Sequence, residues 1–502
     1  MSYLLGVDVG TTSVKCVIYD QKGRALTSCR SEYEILMPQP EFMEVEAETY
    51  WNAFKESLKA VLNESQVAPQ DISGIGVSSQ GETFVAMDRD GKPVRRAIVW
   101  LDNRSKEEAE LIKEEFGVDK VYRITGQNEI IPMWTATKIF WLKRNEPEVF
   151  RKVYKYLLLE DYIIFRLTGE FVTDYSVVCS TILFDISKRK WWGEILDFIG
   201  LSEEQLPELK PSGTPVGNVT LEAARDTGLS TKTLVSTGAY DHAAGAVGVG
   251  NIEPGVVTET TGGALAIVAT VDRVILDRMR RIPCHYHAVE GRYFLQPFCP
   301  TAGAVLKWYR DNFGLLEMEA ADRMGIDPYD LLTLEASKSP PGSDGLLLLP
   351  HFAGAASPEF NPNAKGVLFG LMLHHKKSHI IRSIMESIAY MLRRNIEVLE
   401  ELGVNVKEVR SIGGGARSRL WNQIKADVLQ KPIITVHTEE NSALGVAILA
   451  GLATGVFSSI AKASESMVSI KERFTPSEAN KDLYNGLYGR YVELYNRIGD
   501  LF

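Results

Sequence analysis

The sequence predicts an α/β protein built from two domains of related architecture, and three observations carry that prediction. Strand-like and helix-like patterns alternate along much of the chain. Two hairpins rich in glycine and threonine, at 4–20 and 255–268, stand about half a chain apart. A length of 502 residues with 45% hydrophobic content is enough for more than one core.

The elements follow in order. Residues 3–9 and 14–19 are short apolar runs around a small polar turn, which reads as a hairpin, and 25–35 adds a third strand. Tyr50, Trp51, Phe54, Leu58, Val61 and Leu62 recur at helical spacing. A strand from Ile72 to Val77, the polar loop SSQGET and a strand from Phe84 to Met87 come next, closed by Asp90-Gly91. In the second half, 255–268 repeats the strand, Gly/Thr turn and strand. A strand at 408–412 then runs through Gly413-Gly414-Gly415 into a helix. Ala443, Gly445, Ala447, Ala450 and Gly451 define a helix of small residues, suited to tight packing at a hinge or in an ordinary core. The expected division is 1–245 and 246–502, without a low-complexity linker, so an extensive interface and hinge motion are expected.

Charge and cysteine content narrow the class. A net charge of −10 argues against a nucleic-acid-binding face. No apolar run approaches the roughly 18 residues of a membrane span, and Asp8 and Lys15 interrupt any leader-like stretch. The five scattered cysteines have no metal-binding spacing and suit a reducing compartment. A cytoplasmic protein without nucleic-acid or membrane partners is expected.

The Gly/Thr turns offer backbone N–H groups and short hydroxyls converging on one point, an arrangement that binds phosphate oxygens. The same residues also favour plain hairpin turns. Recurrence of the hairpin half a chain away favours phosphate clamping from two sides. Asp8, placed inside the first strand, is costly to bury unless paired or holding a cation, and hydrated Mg²⁺ is the natural occupant beside phosphates. Local turn N–H groups are the other way to satisfy it. GxxxxGK[ST], HRD and DFG are all absent, which excludes P-loop and protein-kinase arrangements. His285-x-His287 and His374-His375 read as loop histidines without a third ligand at metal spacing.

Two long segments give the sequence a specific resemblance. MWTATKIFWLKRN (133–145), with Lys138, Trp141 and Leu142, fits the first signature of the FGGY carbohydrate kinases. GVLFGLMLHHKKSHIIRSIME (366–386), with Gly370, His379, Ser383 and Glu386, fits the second. The chain resembles that family over essentially its full length, within the wider sugar kinase, actin and heat-shock ATPase superfold. The resemblance implies two actin-like (ribonuclease H-like) domains, each a mixed sheet flanked by helices, with an active-site cleft between them. It implies transfer of the γ-phosphoryl of ATP, with Mg²⁺, to a hydroxyl of a small sugar or polyol. By that resemblance Asp8 is the metal-associated aspartate, and Thr11, Thr12, Ser13 and Lys15 belong to the first phosphate loop. Thr260, Thr261 and Gly262 belong to the second loop. Gly303, Gly414, Gly415 and Ala416 line the nucleotide, and Asp241 is the catalytic base. Chemistry supports this role for Asp241, because phosphoryl transfer needs positioning and an acceptor for the hydroxyl proton. A helix N-cap is its other reading, and the two are compatible.

The substrate position is expected at Gln80, Gly81, Glu82, Trp100, Met133, Asp241 and His242. Gly81-Glu82 keeps the acid of glycerol kinases and loses their arginine; the surroundings of Asp241 look closer to xylulokinase. Loss of the arginine at 81 is expected to leave room for a four- to six-carbon ketose or polyol, such as a ketopentose. Glycerol kinase-like activity, or an ATP-driven clamp of the actin type without sugar phosphorylation, are the alternatives. A homodimer is left open.

Overall fold

The computed structural model describes residues 2–502, which form two compact units. Neither unit is one continuous stretch. The first combines Met1–Glu253 with Thr270–Phe294 and Glu440–Ser469; the second combines Pro254–Ala269, Leu295–Glu439 and Ile470–Phe502.

The first unit is built on a mixed sheet. Strands Tyr3–Val9, Ser13–Tyr19 and Ala25–Glu32 form an antiparallel meander, with Asp8 opposite Lys15. The third strand stops at Glu32, short of the expected residue 35. Ile72–Ser79 lies parallel to the first strand, and both Leu234–Ser236 and Ala239–Tyr240 pair parallel to Ile72–Ser79. One face is covered by the Ala47–Ser65 helix, which buries Tyr50, Trp51, Phe54, Leu58 and Val61. Each such side chain contributes roughly 1.5–3 kcal/mol on burial.

The other face carries the small-residue helix, Asn441–Ala453. It needs glycine because backbone meets backbone there. A Cβ on Gly6 would stand 2.0 Å from the Ala443 carbonyl oxygen, and one on Gly76 2.1 Å from that of Val446. The partner helix Asp241–Gly248 is seated the same way: a Cβ on Gly445 would fall 1.9 Å from the Ala244 oxygen. This packing explains why a segment so late in the chain belongs to the first unit.

The second unit has the sheet order Leu265–Val271, Val256–Thr261, Glu408–Ile412, Ile433–Val436, Ile470–Phe474. The hairpin pair is antiparallel, while Val256–Thr261 and Glu408–Ile412 are parallel. The long Lys377–Glu401 helix holds the last part of the second signature, 377–386, in its first turns. There Glu386, fully buried, accepts from Arg382 Nε (2.8 Å), Tyr484 Oη (2.9 Å), the Gly342 N–H (2.8 Å) and Ser343 Oγ (2.8 Å). That signature therefore secures a turn of the scaffold.

Candidate active site

In the first unit, three chain segments reach one place because their strands run parallel and end together. Asp8 sits beside Ser78 on one side of the Ile72–Ser79 strand. Ala239 and Tyr240 flank Ser78 and Ser79 on the other, so Asp241 leaves the sheet at the same edge. Carboxyl ends of parallel strands are where α/β sheets present their ligand sites.

Asp8 accepts from Ser78 Oγ (2.7 Å). Burial lifts its pKa to about 6, with the Ser78 bond opposing and the charge of Asp241 adding to the rise. Lys15, its cross-strand neighbour, is engaged in an ion pair with Glu440. The turn after Asp8 is closed by the Gly10 N–H to Ser13 oxygen bond (3.0 Å), with Thr12 exposed at its tip and Ser13 half-buried. Thr11 faces inward. Its hydroxyl donates to Gln80 Oε1 (2.9 Å) and accepts from Trp100 Nε1 (3.0 Å). The first Gly/Thr turn is thereby bonded directly to two of the expected substrate residues. Gln80 is buried, and its Nε2 donor has no hydrogen-bond partner among the described residues.

Glu82 has a left-handed backbone, φ +59°, uncommon for a residue with a side chain. Thr135 Oγ1, at the start of the Thr135–Asn145 helix, donates to the Glu82 carbonyl (3.1 Å) and pins this conformation. Burial pushes the Glu82 carboxyl well up; Lys138 opposes the shift and Asp241 adds to it. Lys138 is itself fully buried, donates to the Val99 carbonyl (3.0 Å), and is driven toward its neutral form by burial. The first signature therefore sets a buried lysine within electrostatic reach of Glu82, with burial favouring the neutral form of each. Met133 lies half-buried just ahead of that helix.

Asp241 is the first residue of the Asp241–Gly248 helix and accepts the His242 N–H at Oδ1 (2.6 Å); the N-cap position falls on Tyr240, so the N-cap reading of Asp241 is corrected. Its side chain keeps 37% exposure. Asp8, Glu82 and Glu160 all feel its charge. Glu160 is fully buried and held far above the usual carboxylate range by burial and by Asp174.

Two expectations are corrected. Gly81 does not open space: a Cβ there would stand 2.3 Å from Ser180 Oγ and 3.2 Å from Tyr240 Cε2, so those side chains occupy the direction an arginine would take. His285 is not a loop residue. It is buried in strand Cys284–Tyr286, stacked between Tyr240 (ring centroids 5.8 Å apart) and Phe294 (5.0 Å). Burial, then His242, lowers its pKa to about 3. Gln127 also reaches this region, donating to the Cys179 carbonyl (2.7 Å) beside the His285 ring. Gln127, Ser180, Tyr240 and His285 come from four distant segments, and no spacing in the sequence joins them.

In the second unit, a cavity of about 390 Å³ is lined by Thr261, Gly262, Gly263, Gly303, Gly414 and Gly415, among others, with Trp421, Met385, Leu306 and Tyr329 as apolar walls. Thr260 and Ala416 stand next to its wall without lining it. The Gly262–Gly263 turn is tied to the start of the Gly303–Phe313 helix, whose Ala302, Gly303 and Ala304 N–H groups donate to the turn's carbonyls at 2.7, 2.8 and 3.1 Å. Gly303 is required by this contact, since a Cβ would lie 2.5 Å from the Gly262 oxygen. An apolar slot ending on glycine backbone suits a flat ring at one end and phosphates at the other.

These two sites, on mixed sheets flanked by helices, define an actin-like kinase architecture, and comparison with known proteins places it. Residues 3–248 match the FGGY family of carbohydrate kinases, N-terminal domain, and residues 263–454 match its C-terminal domain. A gluconokinase of Bacillus licheniformis is 33% identical over 98% of this chain and 95% of its own. A xylulose kinase of Bacillus subtilis is 30% identical over 100% and 98%. The solved xylulose kinase of Rhodospirillum rubrum superposes with a TM-score of 0.90 at 28% identity, covering 99% of each chain. The chain belongs to the FGGY family of carbohydrate kinases. It is a sugar kinase, and ATP use goes with the family. Among the described residues, no helix is long and apolar enough to cross a membrane.

Proposed function

We propose that this kinase transfers the γ-phosphoryl group of ATP to a hydroxyl of an uncharged four- to six-carbon ketose or polyol, a ketopentose such as xylulose being the leading case. Asp241 acts as the general base. The observation that carries the reading is the setting of Asp241: a partly exposed carboxylate surrounded by other acids, with Gln80 presenting an unpartnered donor nearby. Such a wall accepts hydrogen bonds from several sugar hydroxyls and gives one. The exposed Asp241 carboxylate disfavours a sugar acid, with Lys15 already paired to Glu440 and Lys138 driven toward its neutral form by burial.

The residues present suit Mg²⁺. Asp8 is a half-buried carboxylate whose pKa is raised by burial and by Asp241, and a divalent cation relieves both. When bound, the ion supplies positive charge to the phosphate oxygens. In this reading the first unit holds the sugar and the metal, and the second holds the adenosine in its glycine-floored cavity.

The test is ADP formation across xylulose, ribulose, erythritol, glycerol and gluconate. Turnover confined to the neutral compounds of four or more carbons is expected. Turnover confined to glycerol or to gluconate rejects the substrate assignment. Sugar-independent hydrolysis rejects the kinase mechanism in favour of a clamp.

A further inference from the structure

Beneath the second Gly/Thr turn lies a polar knot that the phosphate-binding reading does not by itself require. Glu259 and Lys425 form an ion pair, Nζ to Oε1 2.6 Å, with both side chains wholly excluded from solvent. Lys425 Nζ also donates to Thr261 Oγ1 (2.9 Å) and Ser411 Oγ (3.2 Å). The Thr261 hydroxyl donates to Glu259 Oε2 (2.6 Å), and Ser411 Oγ donates to Glu259 Oε1. The ammonium thus has three acceptors, and both carboxylate oxygens are used.

A buried ion pair of this kind is no gain in stability over a well-packed apolar pair, because desolvation offsets the attraction. Its effect is geometric. Both hydrogen-bonding roles of the Thr261 hydroxyl are taken, so the side chain cannot turn toward a ligand and this residue offers the cavity its backbone. The fixed side chain and carbonyl set the next layer: a Cβ on Gly415 would meet Thr261 Cγ2 at 2.6 Å, and one on Gly413 would meet the Thr261 oxygen at 3.0 Å. On the other side, Lys425 lies one helical turn beyond Trp421, with Nζ 5.3 Å from the Trp421 ring centre. Trp421 is a wall of the cavity.

We propose that the Lys425–Glu259 pair is a positioning device: it holds the 261–263 turn in register with the base-binding wall, so that phosphates beyond the first meet correctly placed backbone groups. The proposal rests on the reading of this cavity as the nucleotide site. It assigns Lys425, Glu259 and Ser411 to phosphate affinity, without contact to nucleotide or sugar.

The test compares ADP with AMP on the full-length protein, by calorimetric titration, alongside KM for ATP and for the sugar. The charge-free double variant Glu259→Leu/Lys425→Met removes the anchor without stranding a buried charge. It is expected to bind AMP within about twofold of the parent and ADP roughly tenfold more weakly, the scale of a lost charge-assisted hydrogen bond. KM for ATP should rise similarly while KM for the sugar holds. Unchanged ADP affinity, or equal loss for ADP and AMP, overturns the proposal. Should the double variant not fold, Thr261→Val must show the same ADP-selective loss and Thr261→Ser must restore it; a Val variant with parental ADP affinity also overturns it. A parent protein that binds neither nucleotide overturns the nucleotide reading of the cavity, and this proposal with it.

Discussion

The two Gly/Thr hairpins share a plan and differ in what stands behind them. Each has a strand that carries an acid, a turn of small residues, and a parallel neighbour. In the first hairpin the acid, Asp8, lies at the strand's end with one hydroxyl for company and other acids nearby, and its pKa is raised. In the second the acid, Glu259, is sunk one residue further back from its strand's end and matched by Lys425. The first turn is bonded outward, through Thr11, to Gln80 and Trp100. The second is bonded inward, through Thr261, to its own core. Equal turn chemistry therefore rests on two different supports: a carboxylate whose pKa burial raises, and one matched within the core by a buried lysine.

The sharpest test of the first site is the proposed base. Asp241→Asn keeps an amide oxygen to accept the His242 N–H, so the local bond survives. Steady-state kinetics should show kcat lower by roughly 10³-fold with KM for the sugar nearly unchanged, within the usual span for a positioned base. A kcat within a few-fold of the parent removes Asp241 from that role.

The next effect is on stability and should strike the first hairpin alone. Gly6→Ala drives a Cβ to 2.0 Å from the Ala443 oxygen, backbone against backbone, and neither side has a flexible atom to yield. A loss of about 3 kcal/mol or more is expected in denaturant unfolding, at the severe end for overpacking. Nucleotide binding by the folded fraction should be spared; an unaffected midpoint would show that the 441–453 helix is free to shift away from the strand.

These hairpins were legible in the sequence because their chemistry is local. Asp8 and the 10–13 turn are contiguous, as are Thr260 to Gly263, and period-two apolar runs mark their strands. The glycine-rich turn at 413–415 was legible for the same reason. What stayed hidden depends on strands laid side by side. Asp8, Gln80 and Asp241 meet because three parallel strands end together, and nothing within any one segment records its neighbours. Nothing local marks Glu259, since its partner lies 166 positions away. The Gly81 reading failed for a related reason: a missing side chain signals room only if no distant segment has filled it, and Ser180 and Tyr240 have.

The contrast in charge compensation predicts a contrast in pH dependence. Because the folded pKa of Asp8 is raised from 3.8 to about 6, the folded state holds that proton more tightly than the unfolded chain. Its favourable contribution is complete below the unfolded value and is lost as pH rises through about 6. In EDTA, Asp8→Asn should therefore melt higher than the parent at pH 8 and equal to it near the unfolded value. Activity should fall by roughly 10²-fold, a typical loss for charge stabilisation at a transferred phosphoryl group. Added Mg²⁺ should raise the melting temperature of the parent with nucleotide and leave that of the variant unmoved. A variant no more stable than the parent at pH 8 would mean that Asp8 is compensated after all, and the contrast with Glu259 would lose its basis.

The smallest effect tests the outward bonding of the first turn. Gln80 accepts from Thr11 at Oε1 and holds Nε2 buried without a partner among the described residues. A buried donor left unpaired costs about 1–3 kcal/mol, so a ligand that supplies an acceptor recovers that energy on binding. Gln80→Ala removes donor and acceptor together. It should raise KM for the sugar roughly tenfold with kcat changed less, while ADP affinity stays within experimental scatter. Gln80→Glu keeps the Thr11 bond and replaces the donor with an acceptor, so it separates the two functions. If the donor serves the sugar, the Glu variant loses as much sugar affinity as the Ala variant. If it retains parental KM, Gln80 acts only through Thr11, and the first turn, like the second, is bonded for shape alone.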